Sequence, residues 1–331
     1  MSGLQLLHKR GVQIAVPDSE DVRRCEAILR RGSRSFYAAS RLLPQRIRRP
    51  TMVLYAFCRN VDDAVDMSEG TAAVSLRVVD ELRERLGRAY AGRPMDSPVD
   101  RAFAIVAHQC SIPIAVPHAL LDGMEWDARG RRYEDIEDLF EYAARVAGTV
   151  GVMMTLIMGS RQANVLGRAC DLGAAMQLTN IARDIGEDAA RGRIYLPLSW
   201  CRDAQIDPEA WLQNPTPSET LRQLVARLLT TADELYTRAD SGVAELPADC
   251  RVAIRAARLI YSDIGRKIAR AGYDSVTRRA YVSTTRKLWL VARAVFSGNR
   301  KVQATTAAEL PSASFLVDAA TSNELVCGSS S

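Results

Sequence analysis

Two short acidic rows constrain this chain more than any other feature. Tyr55-Ala-Phe-Cys-Arg59-Asn-Val-Asp62-Asp63-Ala-Val-Asp66 holds Asp62 and Asp66 four residues apart. Gln177-Leu-Thr-Asn180-Ile-Ala-Arg183-Asp184-Ile-Gly-Glu187-Asp188 repeats that spacing with Asp184 and Asp188. On a helix, residues four apart share one face, about 6 Å from each other along the axis. Like charges so placed repel. The arrangement becomes favourable when a divalent cation lies between the carboxylates, and Mg²⁺ characteristically combines one or two carboxylates with substrate phosphates. Leu54, Phe57 and Val61 flank the first row at helical spacing, so that helix is expected to be largely buried. Asn180 extends the second row to three polar positions, which is costly in a buried helix unless metal or hydrogen bonds satisfy them. An arginine, Arg59 or Arg183, accompanies each row. Two such helices facing each other would cage cations around a diphosphate.

The rest of the chain supplies a helical frame for that pair. Gly and Pro together number 33 in 331 residues, too few for a turn-rich β fold, and 47% apolar with 25% charged residues is ordinary globular composition. Asp18 reads as an N-cap ahead of Val22, Cys25, Ile28 and Leu29. A helix is expected from Pro50, and helical periodicity covers roughly 72–90, 98–110, 117–128, 135–159, 162–188, 217–241, 249–271 and 276–297. No βαβ alternation and no solenoid repeat is present. The expected organisation is a single all-α domain over 1–301. The tail over 302–331, rich in Ser, Thr and Ala, is expected to be disordered.

Charge and cysteine usage exclude several classes. The net charge of +5 conceals a basic stretch between Arg251 and Lys301, with 13 basic residues and two acidic ones, Asp263 and Asp274. Such a stretch suits a polyanionic substrate or a lipid surface, but sparse aromatics and the lack of a recognition motif speak against nucleic acid. Seven scattered cysteines without a C-x-x-C pair fit reduced thiols. No signal-peptide core and no unbroken apolar span of membrane length occur, so a cytoplasmic location is expected. His8, His108 and His118 show no metal-ligand spacing.

From about Arg31 to Arg286 the chain resembles the head-to-head prenyl synthases, the family of squalene, dehydrosqualene and phytoene synthases. Ser33-Arg34-Ser35-Phe36 with Leu43-Pro44 is similar to the family's opening segment, and Tyr55–Asp66 and Gln177–Asp188 resemble its two aspartate-rich motifs. Arg191-Gly-Arg193-Ile-Tyr195-Leu-Pro197 resembles the loop that follows. Gly123-Met-Glu-Trp126-Asp127 and the run from Tyr142 to Gly151 most resemble bacterial members that make phytoene.

The resemblance implies an isoprenoid synthase helical bundle around a central apolar cavity, with Asp62, Asp66, Asn180, Asp184 and Asp188 as metal ligands. Ser33, Arg34, Arg59, Arg183 and Arg278 match diphosphate-binding positions. Tyr142 and Tyr261 match tyrosines near the reacting carbons, and Gln177 lies beside Asn180. Phe36, Val146, Val150, Ala169, Gly173 and Met176 match cavity walls, although Gly148, Gly151 and Gly173 equally suit close helix packing. Asp63 and Glu187 rotate off the metal-facing row. The implied cofactors are Mg²⁺ or Mn²⁺, three per site, without NADPH. The implied reaction joins two geranylgeranyl diphosphates to phytoene in carotenoid biosynthesis. The rivals are a dehydrosqualene or squalene synthase using farnesyl diphosphate and a non-catalytic assembly factor, though the latter type loses the aspartates kept here. Because product and substrate are long apolar chains, contact with the inner face of the cell membrane, and with downstream carotenoid enzymes, is also implied. Arg41, Arg46, Arg48 and Arg49 beside Leu42, Leu43 and Ile47 form either a membrane-facing surface or a flap over the diphosphates.

Overall fold

The computed structural model describes residues 6–9, 12–15, 17–66, 72–296 and 309–322. Its helices are α1 (Ser19–Gly32), α2 (Arg34–Ser40), α3 (Gln45–Asp66), α4 (Ala72–Tyr90), α5 (Pro98–Gln109), α6 (Ala115–Ala128), α7 (Ile136–Ala143) and α8 (Thr149–Ile157). They continue with α9 (Ala163–Ala190), the short α10 (Leu198–Asp203) and α11 (Pro208–Gln213), then α12 (Glu219–Glu245), α13 (Ala248–Arg270), α14 (Thr284–Phe296) and α15 (Ser314–Thr321). One antiparallel hairpin, Leu6–Lys9 paired with Val12–Ala15, precedes them. The expected all-α bundle is what forms.

The helix starts follow local chemistry. Asp18 accepts from Glu20 N at 2.9 Å, Asp135 from Asp138 N at 2.9 Å, and Ser218 from Leu221 N at 3.0 Å, each satisfying an otherwise orphaned amide. The helix carrying the first acidic row begins at Gln45, five residues before Pro50, so the proline lies inside it and leaves the Arg46 carbonyl without its helical donor. The α9 helix is buried on several faces, as its apolar residues are distributed around the axis, and α8, α12 and α13 surround it. It is the central post of the bundle.

A five-residue π-helical turn, Ala144–Gly148, links α7 to α8 within the region expected to be one uninterrupted helix. Glycines let this turn and α8 lie directly on α9. A Cβ on Gly173 would stand 2.4 Å from the Ala147 carbonyl oxygen, and one on Gly151 would stand 2.4 Å from that of Ala169. Close packing is therefore the role of both glycines. A leucine at 173 would break this contact before it filled any pocket.

The tail expected to be disordered is corrected over 309–322. Leu310, Ala313, Leu316, Val317 and Ala320 are buried, forming a helical stripe that the polar composition of the tail conceals. Arg161 Nη1 donates to the Ala320 carbonyl at 3.0 Å, and Arg145 is stacked between Trp126 and Phe315 at 4.4 and 4.8 Å. The helix expected from 276 starts only at Thr284. Residues 274–283 run as a non-helical segment alongside α9, where Gly186 N donates to the Ser275 carbonyl at 3.0 Å.

Candidate active site

A cavity of about 410 Å³ opens between α3, α8, α9, α12 and α13. Each long helix around it changes character along its length. On α3 the lining runs from Thr51 and Leu54 to Arg59 and Asp62, and on α9 from Val165, Ala169 and Leu172 to Gln177 and Asn180. The polar ends coincide, so the cavity has a charged mouth and an apolar body. Phe36, Val146, Val150, Gly173 and Met176 line it as expected, and Tyr142 and Tyr261 do as well. The Phe36 ring sits between those of Tyr55 and Tyr261, at 5.8 and 6.2 Å, forming an aromatic wall below the mouth.

At the mouth, carboxylates are paired with arginines. Arg59 bonds Asp62 at 3.2 Å and Asp63 at 2.6 Å. Arg183 grips its neighbour Asp184 with Nε at 2.8 Å and Nη2 at 2.6 Å. Arg279 adds a second guanidinium to Asp184 (Nε–Oδ1 2.8 Å) and reaches Glu187 at 2.7 Å. Asn180 lies near Gln177, Nδ2 to Oε1 at 3.5 Å. Among the described residues no three carboxylate, thiolate or imidazole groups converge into a finished cage. Burial and the neighbouring Asp184 push the Asp188 carboxyl up to about 7, and Asp127 adds to the effect. A hard divalent cation relieves such crowding of oxygen anions, so the donor set suits one.

Arg279, next to the Arg278 matched to a diphosphate-binding position, joins this mouth. Arg278 is exposed, whereas Arg279 holds Asp184. The sequence reading placed both on a helix, and in the non-helical segment the side-chain phase differs. Asp127 is a second residue that the reading quoted without assigning. It accepts the hydroxyls of Tyr142 and Tyr195, each at 2.8 Å, and lines the cavity. The Tyr142 ring is stacked on Tyr195 and tilted against Tyr133, both at 5.2 Å, and burial raises its pKa well above the ordinary value.

Ser33 spends its Oγ on Phe36 N at 3.1 Å, as the N-cap of α2. The side chains of Arg34 and Asp66 lie outside the described residues. The basic cluster beside Leu43 and Ile47 is tied into the body of the bundle. Both apolar residues are buried, Arg46 pairs with Asp249 at 2.6 Å, and Arg48 donates to the carbonyls of Ser40, Arg41 and Leu43. The segment clamps the end of α2 onto the body.

A helical bundle with two acid rows at the mouth of an apolar cavity defines an isoprenoid synthase. Residues 29–286 match the family described as squalene/phytoene synthase, and the chain belongs to that family. It is 50% identical to the phytoene synthase of Cereibacter sphaeroides over 313 residues, covering 91% of this chain and 88% of the relative. It is also 50% identical to the phytoene synthase of Rhodobacter capsulatus over 277 residues, covering 84% and 81%. Among solved structures, a dehydrosqualene synthase in complex with ligand superposes with a TM-score of 0.76 at 32% identity, covering 83% of this chain and 95% of that one. The chain is a prenyltransferase of carotenoid biosynthesis, acting by head-to-head condensation.

Proposed function

We propose that the enzyme condenses two geranylgeranyl diphosphates to phytoene, with Mg²⁺ or Mn²⁺ held by Asp62, Asp66, Asn180, Asp184 and Asp188. The observation that carries this reading is the pairing at the mouth. One carboxylate of each row is matched there, Asp62 by Arg59 and Asp184 by Arg183 and Arg279. The cations, when bound, neutralise the departing diphosphate as Lewis acids. The arginines can then exchange their carboxylates for diphosphate oxygens, to which guanidinium binds strongly. Ionisation of the first substrate leaves an allylic cation; the double bond of the second attacks it, and loss of a proton from the resulting tertiary cation closes a cyclopropyl diphosphate. Loss of the second diphosphate, rearrangement and proton loss complete phytoene. No protein nucleophile is required. The apolar lining excludes water from the cations and holds the two tails in register.

Incubating the purified enzyme with Mg²⁺ or Mn²⁺ and each of farnesyl and geranylgeranyl diphosphate tests this reading, with products identified by mass and retention. Phytoene from the C20 substrate is expected. A preference for the C15 substrate would replace the reading with dehydrosqualene synthesis.

We infer a second candidate surface for membrane contact, on α14. No helix among the described residues is long and apolar enough to cross a bilayer. On α14, however, Leu288, Trp289, Val295 and Phe296 face solvent, Phe296 at 86% exposure, and Tyr281 precedes them beside Arg279. Arg286, Lys287 and Arg293 share this helix, and no acidic residue occurs from Ser275 to Lys301. An aromatic and aliphatic stripe bordered by bases suits an anionic bilayer interface, where an insoluble product can leave.

A further inference from the structure

One wall of the cavity is built in an uncommon backbone geometry. Val146 and Ala147 line the cavity from the π-helical turn Ala144–Gly148, and Val150 and Gly151 line it just beyond. The Thr149 amide donates to the Ala144 carbonyl, five residues back. The Arg145 carbonyl, which an α-helix would offer that amide, takes the Thr149 hydroxyl instead at 2.6 Å. Turns of this kind occur mostly as single insertions in helices and frequently at functional sites. Here the extra residue decides which side chains face the cavity. Reverting to α geometry would rotate α8 relative to α7 by about 100°, the turn of one residue, and would carry Val150 off the wall.

The turn depends on support from outside it. On α6 a Cβ on Gly123 would stand 2.6 Å from Val146 Cγ1, and on α9 one on Gly173 would stand 2.4 Å from the Ala147 carbonyl oxygen. Glycine permits these approaches and contributes no side chain to hold the turn. Residues 309–322 supply that hold. Leu316 is fully buried, with Cδ1 3.6 Å from where a Cβ on Gly148 would stand. Phe315 covers the Arg145 guanidinium opposite Trp126, and Arg145 Nη1 donates to the Glu141 carbonyl of α7 at 2.9 Å. The 3₁₀ turn Pro311–Ala313 packs on α7 and on the π-turn itself. This segment is fixed at both ends. Glu309 lies on α9, its Cδ 2.8 Å from where a Cβ on Gly167 would stand. Arg161 caps α15, donating to the Ala320 carbonyl at 3.0 Å and to those of Cys110 and Ser111 at 3.0 and 2.6 Å. No residue of 309–322 lines the cavity, so any effect on the substrate passes through the π-turn.

We propose that residues 309–322 form a strap that fixes the register of the π-turn, and that Leu316 and Phe315 are positioning residues for the prenyl chains. The proposal rests on the reading of the cavity as the prenyl-chain site. The test measures hydrogen exchange over residues 144–151 and steady-state kinetics with geranylgeranyl diphosphate. The proteins are full-length wild type, Leu316→Ala, Phe315→Ala, Leu316→Met and Leu86→Ala, compared at a temperature where circular dichroism finds each folded. Leu86 is buried on α4, which contributes nothing to the cavity lining, so its variant reports lost stability alone. Exchange over 144–151 is expected to quicken at least about tenfold in Leu316→Ala and Phe315→Ala beyond any change in Leu86→Ala. KM should rise at least about fivefold in the same two variants, because a displaced wall weakens chain binding. Lost stability acts otherwise, removing active molecules and lowering kcat at constant KM. Leu316→Met keeps the contact and should restore both readouts. Should Leu316→Ala not fold, Phe315→Ala, which trims a half-buried ring, carries the test. Exchange no faster than in Leu86→Ala overturns the strap, and quickened exchange with an unchanged KM overturns the positioning role. A wild type that prefers farnesyl diphosphate overturns the C20 reading instead, and the same variants are then judged with that substrate.

Discussion

Gly186 stands between Asp184 and Asp188 on α9, and replacing it with alanine tests whether the segment after α13 builds the mouth. A Cβ at this position would lie 2.3 Å from the carbonyl oxygen of Val276 and 3.1 Å from its carbon, both backbone atoms. Ordinary contact begins near 3.4 Å, so the two strands of backbone must part by about 1 Å. The segment cannot yield locally. Asp274 accepts from the amides of Val276 and Thr277, both at 3.1 Å, and from the Thr277 hydroxyl at 2.6 Å, so residues 274–277 move together. Arg279 follows two residues later. Its bonds to Asp184 and Glu187, now 2.8 and 2.7 Å, lengthen beyond hydrogen-bond range. Overpacking of this kind costs about 1–3 kcal/mol, a fall of roughly 1.5–4 °C in Tm for a chain of this size. Displacing a diphosphate-binding group by about 1 Å lowers turnover about 100-fold. Calorimetry and steady-state kinetics measure both, with Gly87→Ala as the control. No atom lies within 4 Å of a Cβ there, so that helical substitution should stabilise by about 0.5–1 kcal/mol and leave kinetics alone. A Gly186→Ala enzyme with wild-type Tm and kcat/KM would refute the account of the mouth.

Asp62→Asn and Asp184→Asn should each abolish turnover while far-ultraviolet circular dichroism stays unchanged; near-wild-type activity at ordinary Mg²⁺ concentrations would misassign the rows. Asp188 is pushed up to about 7, so below that pH a bound cation must displace its proton. The Mg²⁺ concentration needed for half-maximal activity should rise about tenfold per pH unit below 7 and level off above it, and a flat dependence from pH 5.5 to 8 argues against Asp188 as a ligand. The metal-free protein should lose stability as pH rises from the ordinary carboxylate range toward 7, because the native state there holds a proton that the unfolded chain has released. On α14, Trp289→Ser/Phe296→Ser should abolish flotation with anionic liposomes, whereas Arg46→Gln/Arg49→Gln should not; the opposite pattern returns the lipid contact to the segment before α3.

What the sequence disclosed was what repeats along one helix. The acidic rows, Asn180 and the flanking Arg59 and Arg183 were legible because i,i+4 spacing is a property of the chain alone. The grip of Arg279 on Asp184 was not legible because no period governs a non-helical segment, and there the contact with Gly186 sets the phase. Gly173 was visible as a small residue, but only the fold reveals that its missing Cβ faces the Ala147 carbonyl. Composition hid α15, since Ser, Thr and Ala surround the stripe of Leu310, Leu316 and Val317. Arg168 and Asp171, three residues apart, look in sequence like any exposed helical pair; Gly242 and Arg238, from more than 60 residues away, make them something else. The same pairing then does different work in two places along the bundle. At the mouth the arginine–aspartate pairs keep part of their solvent, contribute little to stability, and can trade partners when a diphosphate arrives. In the N-terminal half of α9 the Arg168–Asp171 pair is buried and breaking it would strand a charge, so it does not trade. Burial alone separates a pair free to bind diphosphate from a pair that holds two helices together.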